Sequence, residues 1–376
     1  MKKIAIISEL NLLNINYGNR LQAFALNKYL TDYYKDYETV SLILGNKQKY
    51  KITKLSLKQN IAILLKPILD RRKAKDLTKT FKSRMDLCNI FTENNIKNLY
   101  KNFEWNMINK SNFDIYIVGS DIVWNQDPYL INRFKFLDFN TNKTIKKISY
   151  AASFGRDYLP DNNIKSIKKY LSSFNGISVR EKSSTSMLNK IGINNVSHVC
   201  DPTLLLSRKQ WEVIEKNPNI TNKKFIFVYL LGKSKVQRDY ILEFAKNNNY
   251  LIINIPNANG VENTVDLNFG DIKFDNCSPE NWLWLINHAE YIFTDSFHGI
   301  VFSTIFEKKF VALKREGKVD INNRINDYLS TIDQQDKLIS LRDLNISSLT
   351  WNYKKIDQKL NSFIKQSKDY LDNTIK

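Results

Sequence analysis

One local pattern recurs along most of the chain: a short apolar run, a turn of glycine or polar residues, then an amphipathic stretch. The runs are Lys3–Ile7, Glu38–Leu44, Ile115–Val118, Lys147–Ala151, Gly176–Val179, Val196–Cys200, Phe225–Leu231, Leu251–Ile255, Tyr291–Thr294 and Phe310–Leu313. Runs this short suit strands covered on both faces better than helices. Strands that alternate with helices build a parallel sheet with helices packed on its faces. The runs form two series, separated by Asp201-Pro202-Thr203, a helical stretch around Trp211 and the polar run Asn217–Asn222. With 376 residues to divide, the expected fold class is α/β with two Rossmann-like domains, over residues 1–206 and 207–376. The second domain closes with an amphipathic helix, Ile356–Tyr370, with Leu360, Phe363 and Ile364 on one side. Two such sheets facing each other put their strand C-terminal ends, and so the ligand, in a cleft between the domains.

Several function classes lose support at this level. Cys88, Cys200 and Cys277 are far apart, with neither C-x-x-C nor a framework of pairs, so zinc-ribbon and redox motifs are unsupported and a reducing compartment is expected. The start, Met1-Lys2-Lys3-Ile4-Ala5-Ile6-Ile7-Ser8-Glu9, has too short an apolar core for a signal peptide and reads as the first strand. No apolar run approaches the ~20 residues that span a bilayer. A cytoplasmic location follows as the expectation.

Charge is the outlier. Lys and Arg number 57 against 38 Asp and Glu, a formal net of +19, which calls for anionic company. Thirteen of those cations, against two Asp, lie in Lys47–Arg84 beside Leu55, Leu57, Ile61, Ile63, Leu64, Leu65, Ile68 and Leu69. Two readings stand: a basic amphipathic arm for an anionic membrane surface at its inner face, or a helical excursion, 47–112, packed on the first domain. Nucleic acid is not expected, because no RNP-type or helix-turn-helix pattern accompanies the charge.

The chemistry-bearing residues cluster at predicted strand ends. In Thr294-Asp295-Ser296-Phe297-His298-Gly299 a histidine falls at a strand-to-helix turn, where helix amides favour an anion. An imidazole, with its ordinary pKa of roughly 6.5, can give or take a proton there; the alternative is a capping or packing histidine. His198 and His288 read as structural, and with no H-x-x-x-H pair a histidine-built metal site is not expected. In Val179-Arg180-Glu181 an arginine ends a strand, ready to fork onto a carboxylate or phosphate, or to pair with Glu181. Gly119-Ser120-Asp121, running on to Trp124 and Asn125, and Asn16-Tyr17-Gly18-Asn19, running on to Gln22, offer polar groups at further turns. Neither G-x-G-x-x-G nor G-x-x-x-x-G-K-[ST] occurs at these turns, which leaves dinucleotide and Walker-type sites unsupported.

In order along the chain, N-Y-G-N-R-L-Q-A, V-G-S-D-x-V-W-N, S-Y-A-A-S-F-G, V-R-E, D-P-T-L-L-L, S-P-E-N-W and T-D-S-F-H-G, then Asn323-Arg324-Ile325, resemble the polysaccharide pyruvyl transferase family, in an S-F-H-G form. The resemblance covers about residues 15 to 330. It implies a GT-B-like fold and transfer of the pyruvyl group of phosphoenolpyruvate onto two sugar hydroxyls, giving a ketal and phosphate. The acceptor it implies is a sugar or lipid-linked glycan precursor of capsule, exopolysaccharide or cell wall. No cofactor is implied beyond phosphoenolpyruvate as co-substrate, and no metal. By the same resemblance His298 is the catalytic histidine and Arg180 binds phosphoenolpyruvate. Some members carry Arg-Leu-His where this chain has Ser296-Phe297-His298, so a cation from Lys314, Arg315, Lys318 or Arg324 must serve instead, with Lys318 and Arg324 favoured. Position alone assigns the acceptor to Asn16, Gly18, Asn19, Gln22, Ser120, Asp121, Trp124 and Asn125. The competing enzyme class is a GT-B glycosyltransferase using a nucleotide sugar, whose second domain shares the S-P-E-N-W…S-F-H-G outline.

Overall fold

A computed structural model describes residues 1–45, 50–52, 79–125, 130–139, 144–260, 263–315, 322–340 and 346–376. The strands are β1 (Lys2–Ile7), β2 (Tyr37–Leu44), β3 (Tyr50–Ile52), β4 (Leu99–Phe103), β5 (Ile115–Val118), β6 (Leu130–Asn132), β7 (Lys146–Ser149), β8 (Ile177–Val179), β9 (Val196–His198), β10 (Phe225–Tyr229), β11 (Leu251–Asn254), β12 (Ile272–Lys273), β13 (Tyr291–Thr294), β14 (Lys309–Leu313) and β15 (Leu338–Ile339). The α-helices are α1 (Tyr17–Tyr33), α2 (Lys79–Asn95), α3 (Asp161–Leu171), α4 (Lys182–Lys190), α5 (Arg208–Glu212), α6 (Lys235–Asn247), α7 (Pro279–His288), α8 (Phe297–Ile305), α9 (Asn323–Thr331) and α10 (Tyr353–Ile375).

Both expected sheets are present and parallel. The first runs β4-β2-β1-β5-β7, and the bridges Ile148↔Gly176 and Ala152↔Val179 carry it on to β8 and β9. The second runs β12-β11-β10-β13-β14-β15. Central strands such as Ile115–Val118 and Phe225–Tyr229 are buried at every position, which is why they read as unbroken apolar runs. The predicted set lacks β4, where only Phe103 is buried, the two-residue strands β12 and β15, and the separate antiparallel pair β3–β6. The order turns back between β1 and β5 in the first sheet and between β10 and β13 in the second. Those two switch points open crevices at the strand C-terminal ends.

Helix starts follow local chemistry. Asn16 caps α1, its side chain accepting from Asn19 N at 3.2 Å. Ser278 and Asn281 form a capping box on α7, with Pro279 in the first turn. Ser296 caps α8 by accepting from Gly299 N.

Two elements tie the halves together. Arg84 of α2 donates to Asp275 O at 2.9 Å, Pro256 O at 3.0 Å and Asn257 O at 3.3 Å, all beyond the ends of β11 and β12. Helix α10 starts on the second domain, where Tyr353 OH donates to Lys308 O, and its later turns lie against the first sheet. Tyr370 OH donates to Ser149 O at 2.9 Å, Cys200 N to Ser367 Oγ at 2.8 Å and Tyr34 OH to Asp372 at 2.9 Å. The stretch 47–112 was expected to be a helical excursion. Where described, it is helical only in α2 and a 3-10 turn over Trp105–Lys110, and it includes the strands β3 and β4. Most of the basic segment Lys47–Arg84 lies outside the described residues. Among the described residues no helix is long and apolar enough to cross a membrane.

Candidate active site

The ends of β5, β8 and β9 face the start of α8 across the cleft. Arg180, just past β8, is its centre, with only 2% of the side chain exposed. Its Nε donates to Glu181 Oε1 at 2.9 Å, and Nη1 faces Asp201 Oδ2 at 3.1 Å and Asp121 Oδ1 at 3.5 Å. The guanidinium carbon sits 4.2 Å from the Phe297 ring centroid. Burial opposes the charge, but Glu181, Asp201 and Asp121 outweigh it and raise the pKa. Nη2, although buried, has no hydrogen-bond partner.

Asp201 opens the 3-10 turn Pro202–Leu205. Its Oδ1 accepts from Thr203 N at 3.0 Å and Thr203 Oγ1 at 2.8 Å. Its Oδ2, beside Arg180, also faces His298 Nε2 at 3.5 Å. Burial alone would raise this carboxyl's pKa. His298, Arg180 and the Thr203 amide instead hold it well below the usual carboxylate range.

His298 lies in the first turn of α8 and is buried; its Nε2 makes no hydrogen bond, and Asp201 Oδ2 is at ion-pair distance only. Gly18 of α1 packs onto the ring. A Cβ at Gly18 would fall 2.0 Å from Nδ1, 2.2 Å from Cγ and 2.7 Å from Cε1, which places it over the imidazole face. The first domain thus supplies both neighbours that fix this second-domain side chain.

Arg324, in the first turn of α9, adds a second guanidinium. Its Nε is buried and unpartnered, and burial together with the like charge of Arg180 lowers its pKa. At the switch point of the second sheet, Asp295 accepts from Leu231 N and Gly232 N, both at 2.7 Å. Arg315 pairs with it, Nε to Oδ2 at 3.1 Å and Nη2 to the Asp295 carbonyl at 2.8 Å. Asp295 therefore occupies that crevice from within.

The structure brings Arg180, Arg324, His298, Asp121, Gly18 and Asn19 together; Asn19 Nδ2 lies 3.5 Å from Asp121 Oδ2. Ser296 adjoins them as the α8 cap. Lys318 lies outside the described residues. Other expected acceptor residues are placed elsewhere. Gln22 is wholly buried, with its amide spent on Asn19 O and Ser120 N, and Ser120 Oγ donates to Ala151 O. Trp124 is a core residue, stacked on Phe136 with its indole N–H donated to Lys135 O at 2.8 Å. Asn125 is an exposed rim residue that accepts from Arg156 at 2.8 Å, and Asn16 is a helix cap. Sequence reasoning missed Asp201, Glu181 and Phe297 as site residues. A carboxylate before proline at a strand end was the available signal for Asp201, but it reads equally as a cap. Among the described residues no group of three or more His, Cys, Asp or Glu is placed to hold a metal.

The family model described as polysaccharide pyruvyl transferase matches residues 16–317. No curated protein matches the chain. Among solved structures, the UDP-GlcNAc 2-epimerase of Methanocaldococcus jannaschii is similar at TM-score 0.52 and 13% identity, over 97% of this chain and 93% of that one. The S. aureus MnaA–UDP structure gives 0.51 at 13% identity, over 98% and 90%. At such identity the likeness is one of fold, the GT-B arrangement of two Rossmann-like domains with the cleft between them.

Proposed function

The chain belongs to the polysaccharide pyruvyl transferase family, and from that premise we propose that it moves the pyruvyl group of phosphoenolpyruvate onto hydroxyls of a sugar in a surface-polysaccharide or cell-wall glycan precursor. The observation that carries this reading is the pair Arg180 and Arg324, close enough for one charge to lower the pKa of the other, each with a buried, unpartnered nitrogen. Like charges in a buried site repel, and orphaned donors there cost about 1–3 kcal/mol each, so the arrangement calls for an anion with several acceptor oxygens. Phosphoenolpyruvate offers a carboxylate and a phosphate. Asp121, Glu181 and Asp201 hold the other edges of Arg180, turning Nη2 to the ligand.

In the proposed reaction one sugar hydroxyl adds through oxygen to C2 of phosphoenolpyruvate while a proton goes to C3. Loss of phosphate from C2 then lets the second hydroxyl add and close the ketal. Of the two hydroxyl protons, one balances that gained at C3 and the other leaves with phosphate. His298, the titratable nitrogen base in this cleft, handles the proton, a contribution of roughly 10²–10⁴-fold. Asn19 and Asp121, on the first-domain side, are the proposed acceptor contacts. Lys318 and Ser296 remain proposed donor contacts, and the enzyme is proposed to work at the cytoplasmic face of an anionic membrane carrying the precursor.

Phosphate release from phosphoenolpyruvate in the presence of a glycan precursor, with a rise in Tm on adding phosphoenolpyruvate alone, is the expected result. Stabilisation by a UDP-, GDP- or CMP-sugar, with sugar transfer and no phosphate release from phosphoenolpyruvate, would replace this reading with a glycosyltransferase.

A further inference from the structure

Among the described residues Asp201 is the one carboxylate in the cleft that faces both a proposed anion-binding group and the proposed proton carrier. Its Oδ1 is held by both the amide and the hydroxyl of Thr203, at 3.0 and 2.8 Å, so the carboxylate plane is fixed. Its Oδ2 is shared between Arg180 Nη1 at 3.1 Å and His298 Nε2 at 3.5 Å. Asp121 and Glu181 reach Arg180, but among the described residues only Asp201 comes within ion-pair distance of His298.

We infer that Asp201 is a positioning residue that acts through His298, holding the imidazole with its proton on Nε2 and so reserving Nδ1 for proton exchange with the substrate. The inference rests on the pyruvyl-transfer reading for the reaction that His298 serves. A buried ring N–H requires an acceptor; Nε2 makes no hydrogen bond in this structure, and the Asp201 carboxylate, 3.5 Å away, is the acceptor at ion-pair distance. In a neutral imidazole the nitrogen that is not protonated carries the lone pair, so fixing one nitrogen assigns the other its task. Gly18 over the ring face restricts tilting, which leaves the in-plane contact with Asp201 to set the rotation. Because the same oxygen also touches Arg180, an anion seated on Arg180 and the proton on His298 are referenced to one rigid carboxylate. The strongly ionised state of Asp201 suits an orienting anion and not a proton shuttle.

The chain has only three histidines, so ¹⁵N-histidine spectra can be assigned with His198→Gln and His288→Gln. At a pH where the ring is neutral, His298 of the wild-type protein should show the Nε2–H tautomer, and Asp201→Asn should lose that signature. In the same variant kcat for phosphate release should fall about 10²-fold or more, with a much smaller change in KM for phosphoenolpyruvate. Thr203→Val removes one of the two donors to Oδ1 and should move tautomer and kcat the same way, by about 10-fold in rate; it carries the test if Asp201→Asn does not fold. An Nδ1–H tautomer in the wild type, or an unchanged tautomer in the variants, would overturn the inference. So would a kcat loss that tracks Tm alone. If the wild-type protein releases no phosphate from phosphoenolpyruvate with any glycan precursor, the pyruvyl reading fails, while the tautomer measurement still decides the contact.

Discussion

Arg180 and Arg84 are both buried where the two domains meet, yet their neighbours differ in kind. Arg84, 1% exposed in its side chain, spends Nε, Nη1 and Nη2 on backbone carbonyls and has a carboxylate, Asp275, only at 3.9 Å. Every donor edge is used, so this cation fastens α2 to the loops beyond β11 and β12. Arg180 is surrounded by three carboxylates and still leaves Nη2 open. Carbonyl dipoles suit a cation that stays where it is. Carboxylates fix its charge and orientation while one edge is kept for a ligand. The contrast separates a structural arginine from the proposed binding one without reference to motif.

Substitution should separate them as well. The largest effect is expected at Arg180→Met, which strands three buried carboxylates. It should cost about 3–5 kcal/mol of stability and abolish stabilisation by phosphoenolpyruvate, both read in one thermal-shift titration. Arg84→Met should cost about 3 kcal/mol in denaturant unfolding, since hydrogen bonds from a charged donor contribute about 1.5–3 kcal/mol each, but leave KM for phosphoenolpyruvate in place. An unchanged KM in Arg180→Met, or a raised one in Arg84→Met, breaks the distinction.

Gly18→Ala sharpens it from the catalytic side. The added methyl displaces the His298 ring, and a misplacement near 1 Å should cut kcat about 10²-fold, well beyond the loss in stability. Thiol labelling tests the seam. Burial pushes Cys88 up to about 11, with Arg20 and Arg84 pulling the other way, and pushes Cys200 up to about 11 as well. Native protein at pH 8 should therefore label slowly; Arg84→Met withdraws a cation that lowers the Cys88 pKa, so Cys88 should speed only through opening of the seam, while Cys200 stays slow. The smallest effect concerns acid. Asp201 has a depressed folded pKa, so its contribution is present above the ordinary carboxylate value of roughly 3.9 and is lost as pH falls below it. Asp201→Asn should flatten that part of the stability-against-pH curve.

Much of this was legible beforehand for a physical reason. Central strands are buried on both faces and write themselves as unbroken apolar runs, whereas edge strands such as Leu99-Tyr100-Lys101-Asn102-Phe103 face solvent and look like loop. Arg180 and His298 stood out because they end strands in a fold that binds ligands there. Trp124 misled by the same logic: it follows a strand end, yet its indole turns back into the core against Phe136. Asp201 and Phe297 could not be assigned from order alone, because each is given its role by a side chain of the opposite domain, His298 for Asp201 and Arg180 for Phe297.

The placement of α10 also bears on how the polypeptide is made. The strands of the first sheet leave the ribosome early, but the helix that accepts from Cys200 and donates to Ser149 is encoded after the whole second sheet. The first half must wait, with that face uncovered, until translation has passed through the second. Completion of the two halves is thereby a single late event, and the cleft that needs both of them forms only once synthesis has reached α10.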